Sequence, residues 1–75
     1  MTIRFNGNGA SGTMKDQVIY KDTKLSKNTF KWTGHTFLGW STDKDATVTE
    51  YANSALFTYD KELAGQVVEL YAVWR

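Results

Sequence analysis

Cysteine and proline are both absent from this chain of 75 residues, and histidine occurs once. Without cysteine, neither a disulfide framework nor a thiolate metal site can form, and nothing indicates the redox compartment. No apolar run approaches the roughly 20 residues of a membrane span, so membrane insertion is not predicted. Thr2–Asn6 alternates like a strand where a signal peptide has an unbroken apolar stretch, so any export signal is expected outside this sequence.

Aromatic side chains must supply much of the core. They make up 15% of the residues, and each ring can remove about 150–250 Å² from water. A chain of this length forms one domain, over 1–75, that buries only about 60% of the surface exposed by its unfolded form. The structural core is predicted at five positions: Phe5, Phe37, Trp40, Leu70 and Trp74.

Three main strands are predicted from the alternation of apolar and polar residues. Thr2–Asn6 opens the chain as a strand. Val67–Trp74 closes it with apolar residues on both faces, which places this strand in the middle of a sheet. Thr33–Thr42 is predicted as a central strand, kinked because Gly34 and Gly39 bracket its β-prone residues.

Shorter elements are predicted between these strands. Gln17–Lys21 is predicted as a strand and Thr47–Tyr51 as a short edge segment. Asp22–Asn28 begins with residues that can cap a helix, so it is predicted as a short helix or an irregular crossover. A turn after the edge segment is expected to place Leu56 in the core. Asp60–Gly65 is predicted as a helical turn that its glycine ends.

Three glycines after the first strand match a dinucleotide-binding fingerprint. Gly7, Gly9 and Gly12 have the spacing G-x-G-x-x-G. That fingerprint must open a helix, whereas Val18 and Ile19 follow soon after and are typical of a strand. The favoured interpretation is therefore a flexible connection between strands, and no cofactor is predicted.

Metal binding and catalysis find little support in the sequence. His35 is the single histidine, and the Asp43–Asp45 segment lacks the further oxygen ligands and the glycine of a calcium loop. No G-x-S-x-G elbow is present to expose a nucleophilic serine. We therefore expect neither a metal site nor a catalytic site, and the chain is not predicted to be an enzyme.

The net charge of +1 hides an uneven distribution. Up to Phe37, six cations against two anions give +4, and the remainder has three cations against six anions, which gives −3. Lysines interleaved with Phe30 and Trp32 suggest a basic patch for single-stranded nucleic acid, but the acidic half would repel phosphate. No nucleic-acid partner is predicted, and binding of a polyanion such as a sulfated glycan remains a hypothesis beside a simply solvated lysine face. The candidate contacts are Lys21, Lys24, Lys27 and Lys31.

An ordered set of motifs covers nearly the whole chain. Asn6–Gly9 and Gly12–Met14 match N-G-G…G-T-M, and Lys24–Leu25 follows them. Thr33–Thr42 matches T-G-Y-T-F-x-G-W-x-T, and Val68–Trp74 matches V-T-L-Y-A-x-W. In this order and at this length, the motifs resemble the Listeria-Bacteroides repeat, also known as the internalin B-repeat. The chain departs from the family pattern at Ser26, His35 and Val73, where proline, tyrosine and glutamine are common.

The resemblance implies an α+β fold: a small β-grasp-like mixed sheet of about four strands with a short helical crossover. It also implies an extracellular tandem repeat of bacterial surface proteins, often anchored to the cell wall, with no catalytic residue to transfer. The expected function is a non-catalytic spacer that also contributes to adhesion or host contact. The alternative is a specific binding domain that uses the lysine face or an open sheet edge. Expected partners are neighbouring repeats and a host cell-surface protein or sulfated glycan.

Overall fold

β-strands dominate the computed structural model, which describes all 75 residues, Met1–Arg75. No helix in it has both the length and the apolar character that crossing a membrane requires. In chain order the elements are β1 (Thr2–Asn6), β2 (Gln17–Val18), β3 (Thr23–Lys24), β4 (Phe37–Ser41), β5 (Leu56–Phe57), a 3₁₀ helix (Lys61–Leu63) and β6 (Val67–Trp74).

Four strands form one mixed sheet in the order β2-β1-β6-β4. β1 and β6 are parallel and in register over five pairs, from Thr2 opposite Val67 to Asn6 opposite Tyr71. β2 is antiparallel to β1, and β4 is antiparallel to β6. β3 and β5 form a separate antiparallel pair. The predicted position of the closing strand in the middle of the sheet is confirmed.

One face of the four-stranded sheet carries the core. Neighbouring residues in register point to the same side, so Phe5 of β1 and Leu70 of β6 share this face with Trp40 of β4. All three are buried, and Trp40 is 0% exposed. The Trp40 ring lies 4.9 Å from that of Phe5 and 5.0 Å from that of Phe37, measured between centroids. Phe37 and Trp74 are half-buried and pack against this cluster.

The strand predicted as central lies instead at one side of the sheet. Among the strands, β4 pairs only with β6. Its other side is covered by Glu50 and Tyr51, because the Trp40 N–H donates to the Tyr51 carbonyl (2.7 Å) and the Trp40 carbonyl accepts from the Glu50 N–H (2.8 Å). The predicted kink is confirmed: Gly39 has φ 151° at the point where the register with β6 shifts. A Cβ at Gly39 would overlap the Tyr51 carbonyl oxygen.

The helix offered as one interpretation of Asp22–Asn28 does not form. Thr23–Lys24 is strand β3, and the next residue, Leu25, is buried and donates its N–H to the Ala55 carbonyl (2.9 Å). The segment has too few apolar residues at helical spacing to bury one face of a helix. The helical turn predicted at Asp60–Gly65 is present as the 3₁₀ helix. Helix is otherwise absent. The predicted small mixed sheet of four strands is confirmed, whereas the α+β class and the helical crossover are not.

Two further predictions differ by a few residues. β2 stops at Val18 and not at Lys21, although Ile19 still exchanges hydrogen bonds with Met1 through its N–H and carbonyl, both at 2.9 Å. The prediction that Leu56 enters the core is wrong, because Leu56 is 58% exposed and the adjacent Phe57 is buried. Successive residues of a strand point to opposite faces, so β5 turns Phe57 towards the core and Leu56 towards solvent.

Candidate functional site

The chain enters and leaves this molecule at opposite ends. Thr2 donates its N–H to the Gln66 carbonyl (2.9 Å), which places the start of β1 beside the start of β6. At the far end, Arg75 exchanges two backbone hydrogen bonds with Thr36, at 2.9 and 3.0 Å. The extended chain between these levels is about 30 Å long, and the longest dimension of the molecule is 38 Å. The two termini are therefore separated by most of the length of the molecule.

The lysines predicted as contacts do not form one compact patch. Lys24 lies beside Gln17, whose side-chain amide donates to the Lys24 carbonyl (3.0 Å), whereas Lys31 pairs with Ser11. Lys24 and Lys31 therefore lie at opposite ends of the segment that runs from Ser11 to Gln17. The basic segment therefore runs along the molecule. All four predicted lysines are exposed and none is in an ion pair: Lys21, Lys24, Lys27 and Lys31.

A groove lies between the chain segments 13–17 and 26–29. The two segments run in opposite directions, since Gln17 is beside Lys24 and Ser11 is beside Lys31. The groove has a volume of about 370 Å³, and only one of its eight lining residues, Met14, is apolar. This volume lies at the small end of the range for ligand sites.

Hydrogen bonds close the groove at both ends. At one end, Ser11 and Lys31 exchange two backbone hydrogen bonds of 3.0 Å, and next to them the Thr29 hydroxyl donates to the Thr13 carbonyl (3.2 Å). At the other end, the Gln17 side chain bridges the walls by accepting from the Ser26 N–H (2.9 Å) and donating to the Lys24 carbonyl. No backbone hydrogen bond joins the walls between these closures.

Positive charge dominates the groove. Lys15 projects from one wall segment and Lys27 from the other, and both side chains are exposed. The one acidic lining residue, Asp16, accepts two hydrogen bonds from Arg4, at 3.1 Å from Nη2 and 3.4 Å from Nε. The hydrogen bond to Asp16, followed by its charge, raises the pKa of Arg4. The charge of Asp16 is thus balanced by a partner, while those of Lys15 and Lys27 are not.

An acidic side chain organises the loop on the opposite side of the sheet. One carboxylate oxygen of Glu50 accepts from the Thr42 hydroxyl (2.6 Å), the Thr42 N–H (2.7 Å) and the Ser41 hydroxyl (2.9 Å). These three hydrogen bonds, in that order of size, lower the pKa of Glu50. The ionised carboxylate of Glu50 therefore holds the loop that covers β4 in place.

The glycine-rich loop and the single histidine lie at the end of the molecule where β6 ends. The Trp74 indole N–H donates to the Gly7 carbonyl (2.9 Å), and strand β2 follows the loop where the dinucleotide fingerprint requires a helix. His35 is exposed and its ring stacks on Trp32, with 3.9 Å between centroids. No three histidine, aspartate or glutamate side chains come together in a group that could hold a metal ion.

The family model of the Listeria-Bacteroides repeat domain matches residues 2–73, which include all of β1 to β5 and nearly all of β6. The chain belongs to the Listeria-Bacteroides repeat family. This assignment confirms the resemblance drawn from the sequence motifs and identifies the chain as a bacterial repeat module. No curated protein and no solved structure matches it.

One cation of the groove in this Listeria-Bacteroides repeat was missed by the sequence analysis. Lys27 was among the predicted contacts, but Lys15 was not. Lys15 comes opposite Lys27 only because residues 11–17 run antiparallel to residues 24–31. That arrangement depends on the Gln17 side chain and on the Ser11–Lys31 pairing, and neither has a local sequence signature.

Proposed function

We propose that this repeat is a non-catalytic, load-bearing spacer in a bacterial cell-surface protein, located outside the cell and joined to neighbouring repeats. The observation that carries the proposal is the parallel, in-register pairing of β1 with β6, with the chain entering at one end of this pair and leaving at the other. Family membership supports the role of a repeat. The distance between the termini supports its use as a spacer.

Tension along the chain loads this strand pair in shear. Pulling on the two termini draws β1 and β6 in opposite directions along their length, because the strands are parallel neighbours. Their hydrogen bonds and cross-strand side-chain contacts then bear the load together and do not open one after another. β4 holds β6 from its other side over the residues from Phe37 to Ser41. This geometry favours resistance to extension.

Single-molecule pulling tests the proposal. Repeats joined in tandem and stretched from their N- and C-termini are expected to unfold one at a time at high force, each adding about 220 Å of length for its 75 residues. In the matched control, the N-terminus is pulled against a thiol introduced by Ala64→Cys, at an exposed site just before β6 in a chain without native cysteine. That geometry separates β1 from β6 starting at one end and is expected to need much less force. Equal forces in the two geometries would contradict a load-bearing strand pair.

Contact with a host-cell protein or glycan is the second candidate function. It is favoured by the exposed lysines of residues 21–31, none of which is paired with a carboxylate. We expect the fluorescently labelled repeat to bind mammalian cells or immobilised heparin saturably, and a variant with all four lysines changed to alanine to lose this binding. Binding should weaken steeply as salt is raised. Absence of binding by well-folded protein would leave the spacer role alone.

A further inference from the structure

We propose that the groove between residues 13–17 and 26–29 is a binding site for a sulfated saccharide. The site deepens the contact role proposed above, on which it rests, and it is independent of the spacer role. The proposal rests on two unpaired lysines, one on each wall of the groove. Between the two closed ends of the groove, the walls share no backbone hydrogen bonds.

The groove offers donors that suit an anionic group. The Lys15 and Lys27 ammonium groups have no carboxylate partner, and the charge of Asp16 is engaged by Arg4. The backbone N–H groups of residues 13–16 and of Lys27 have no hydrogen-bond partner within the protein. Ammonium and backbone N–H groups together are typical donors to the oxygens of a bound anion. An ester sulfate between the walls would accept from the two ammonium groups and from those of the N–H groups that face the groove, since successive N–H groups of an extended segment point to alternate sides.

The closed ends favour a saccharide over a peptide. A peptide that binds by adding a strand needs a continuous open run of backbone and pockets for its side chains. Here the Ser11–Lys31 pairing and the Gln17 bridge leave a slot of about 13 Å, and its single apolar lining residue, Met14, is half-buried. The hydroxyl groups of Thr13 and Ser26 are instead suited to sugar hydroxyl groups.

The groove is also held in shape before any ligand arrives. The Gln17 side chain spans the two walls with hydrogen bonds of 2.9 and 3.0 Å, and the Thr29 hydroxyl spans them with one of 3.2 Å. A site that is already formed loses little conformational entropy on binding. Only the two lysine side chains, which are free in the structure, need to become ordered.

The test is a titration of isotope-labelled repeat with a heparin-derived hexasaccharide, followed by the shifts of backbone amide resonances. We expect shifts confined to residues 13–17 and 26–31. The variant Lys15→Ala/Lys27→Ala should bind at least about tenfold more weakly, since it loses two charge-assisted contacts. The control Lys44→Ala/Lys61→Ala removes the same charge from exposed sites outside the groove and should change the affinity by less than about threefold.

Several results would overturn the proposal. Equal weakening in the two double variants, with both shown to be folded by their melting curves, would indicate attraction by net charge alone. Inorganic sulfate binding as tightly as the hexasaccharide would reduce the groove to a simple anion site. Tighter binding of a hexaglutamate peptide would replace the saccharide with an acidic protein segment. Saturable binding of the parent repeat to cells, without any binding of the hexasaccharide, would reject the groove as a saccharide site and leave the contact role intact.

Discussion

The two halves of this repeat are held together by different kinds of hydrogen bond. β1 and β6 are joined by a backbone ladder in one register over five pairs, and a second ladder, with one register shift at Gly39, joins β6 to β4. Residues 12–36 include the groove, whose two walls are joined through the side chains of Gln17 and Thr29. A ladder pairs backbone groups at regular intervals along a strand, whereas a side-chain bridge acts at one point. The second arrangement leaves donors free, and these line the groove.

The largest expected effect comes from the core of the sheet half. Trp40→Ala should lower the free energy of unfolding by about 3–5 kcal/mol and unfold much of the protein, because Trp40 is fully buried against Phe5 and Phe37. Trp32→Ala, on a ring that is 38% exposed, should cost only about 1–2 kcal/mol. Thermal melting of both variants checks this. Similar melting of Trp40→Ala and the parent would show that the sheet half does not hold the fold.

A second variant at Trp40 refines the comparison. The Trp40 indole N–H is buried without a hydrogen-bond partner. Trp40→Phe removes this unsatisfied donor and keeps an aromatic ring, so its cost should be well below that of Trp40→Ala. A cost equal to that of the alanine variant would imply that the indole N–H is bonded.

Alanine substitutions at two glycines distinguish the cost of steric overlap from the cost of a positive φ. Gly39→Ala should cost about 2–4 kcal/mol, because its methyl group would meet Tyr51 and Thr49 where the covering segment crosses β4. Gly34 also has a positive φ, 86°, but has open space around it, so we expect Gly34→Ala to cost about 1–2 kcal/mol. Denaturant unfolding measures both. Equal losses would mean that the covering segment does not lie against Gly39.

Removing the bridge of the other half should have a smaller and local effect. Gln17→Ala deletes the acceptor of the Ser26 N–H and the donor to the Lys24 carbonyl, at a cost of about 1 kcal/mol. Amide hydrogen exchange should quicken at Ser26 and leave the amides of β1 and β6 unchanged. Faster exchange throughout the sheet would show that the two halves unfold as one unit.

The smallest effect is expected at Glu50 and depends on pH. Hydrogen bonds from Thr42 and Ser41 lower its pKa below the ordinary value of 4.5, so the stabilisation is present at neutral pH and is lost as pH falls through the lowered pKa. Glu50→Gln should remove this part of the acid sensitivity while changing stability at pH 7 by roughly 1 kcal/mol or less, because the site is exposed. Stability curves from pH 7 to pH 2 check this. An unchanged acid dependence would contradict the role of the carboxylate.

The contrast between the paired strands of the sheet and the side-chain bridges of the groove also explains which features could be predicted from the sequence. β1 and β6 alternate clearly because each buries one face on the core, and both were predicted with their observed bounds. The kink at Gly39 was predicted as well. The side position of β4 was not, because it depends on the Trp40–Tyr51 pairing with a distant segment. Leu56 and Phe57 are neighbours that point to opposite faces of β5, and the sequence does not show which of them faces the core. The groove was not predicted because no local sequence pattern indicates that its two walls run antiparallel.

The proposal that β1 and β6 bear the load is tested most directly by pulling two variants from their N- and C-termini. Val68→Ala weakens the side-chain contact of β6 opposite Ile3, and Gln17→Ala weakens only the bridge of the groove. Both should lower equilibrium stability by about 1 kcal/mol. We predict a clear fall in unfolding force for Val68→Ala and the parent's force for Gln17→Ala. Equal falls would show that force follows overall stability, and would contradict a sheet half that bears the load.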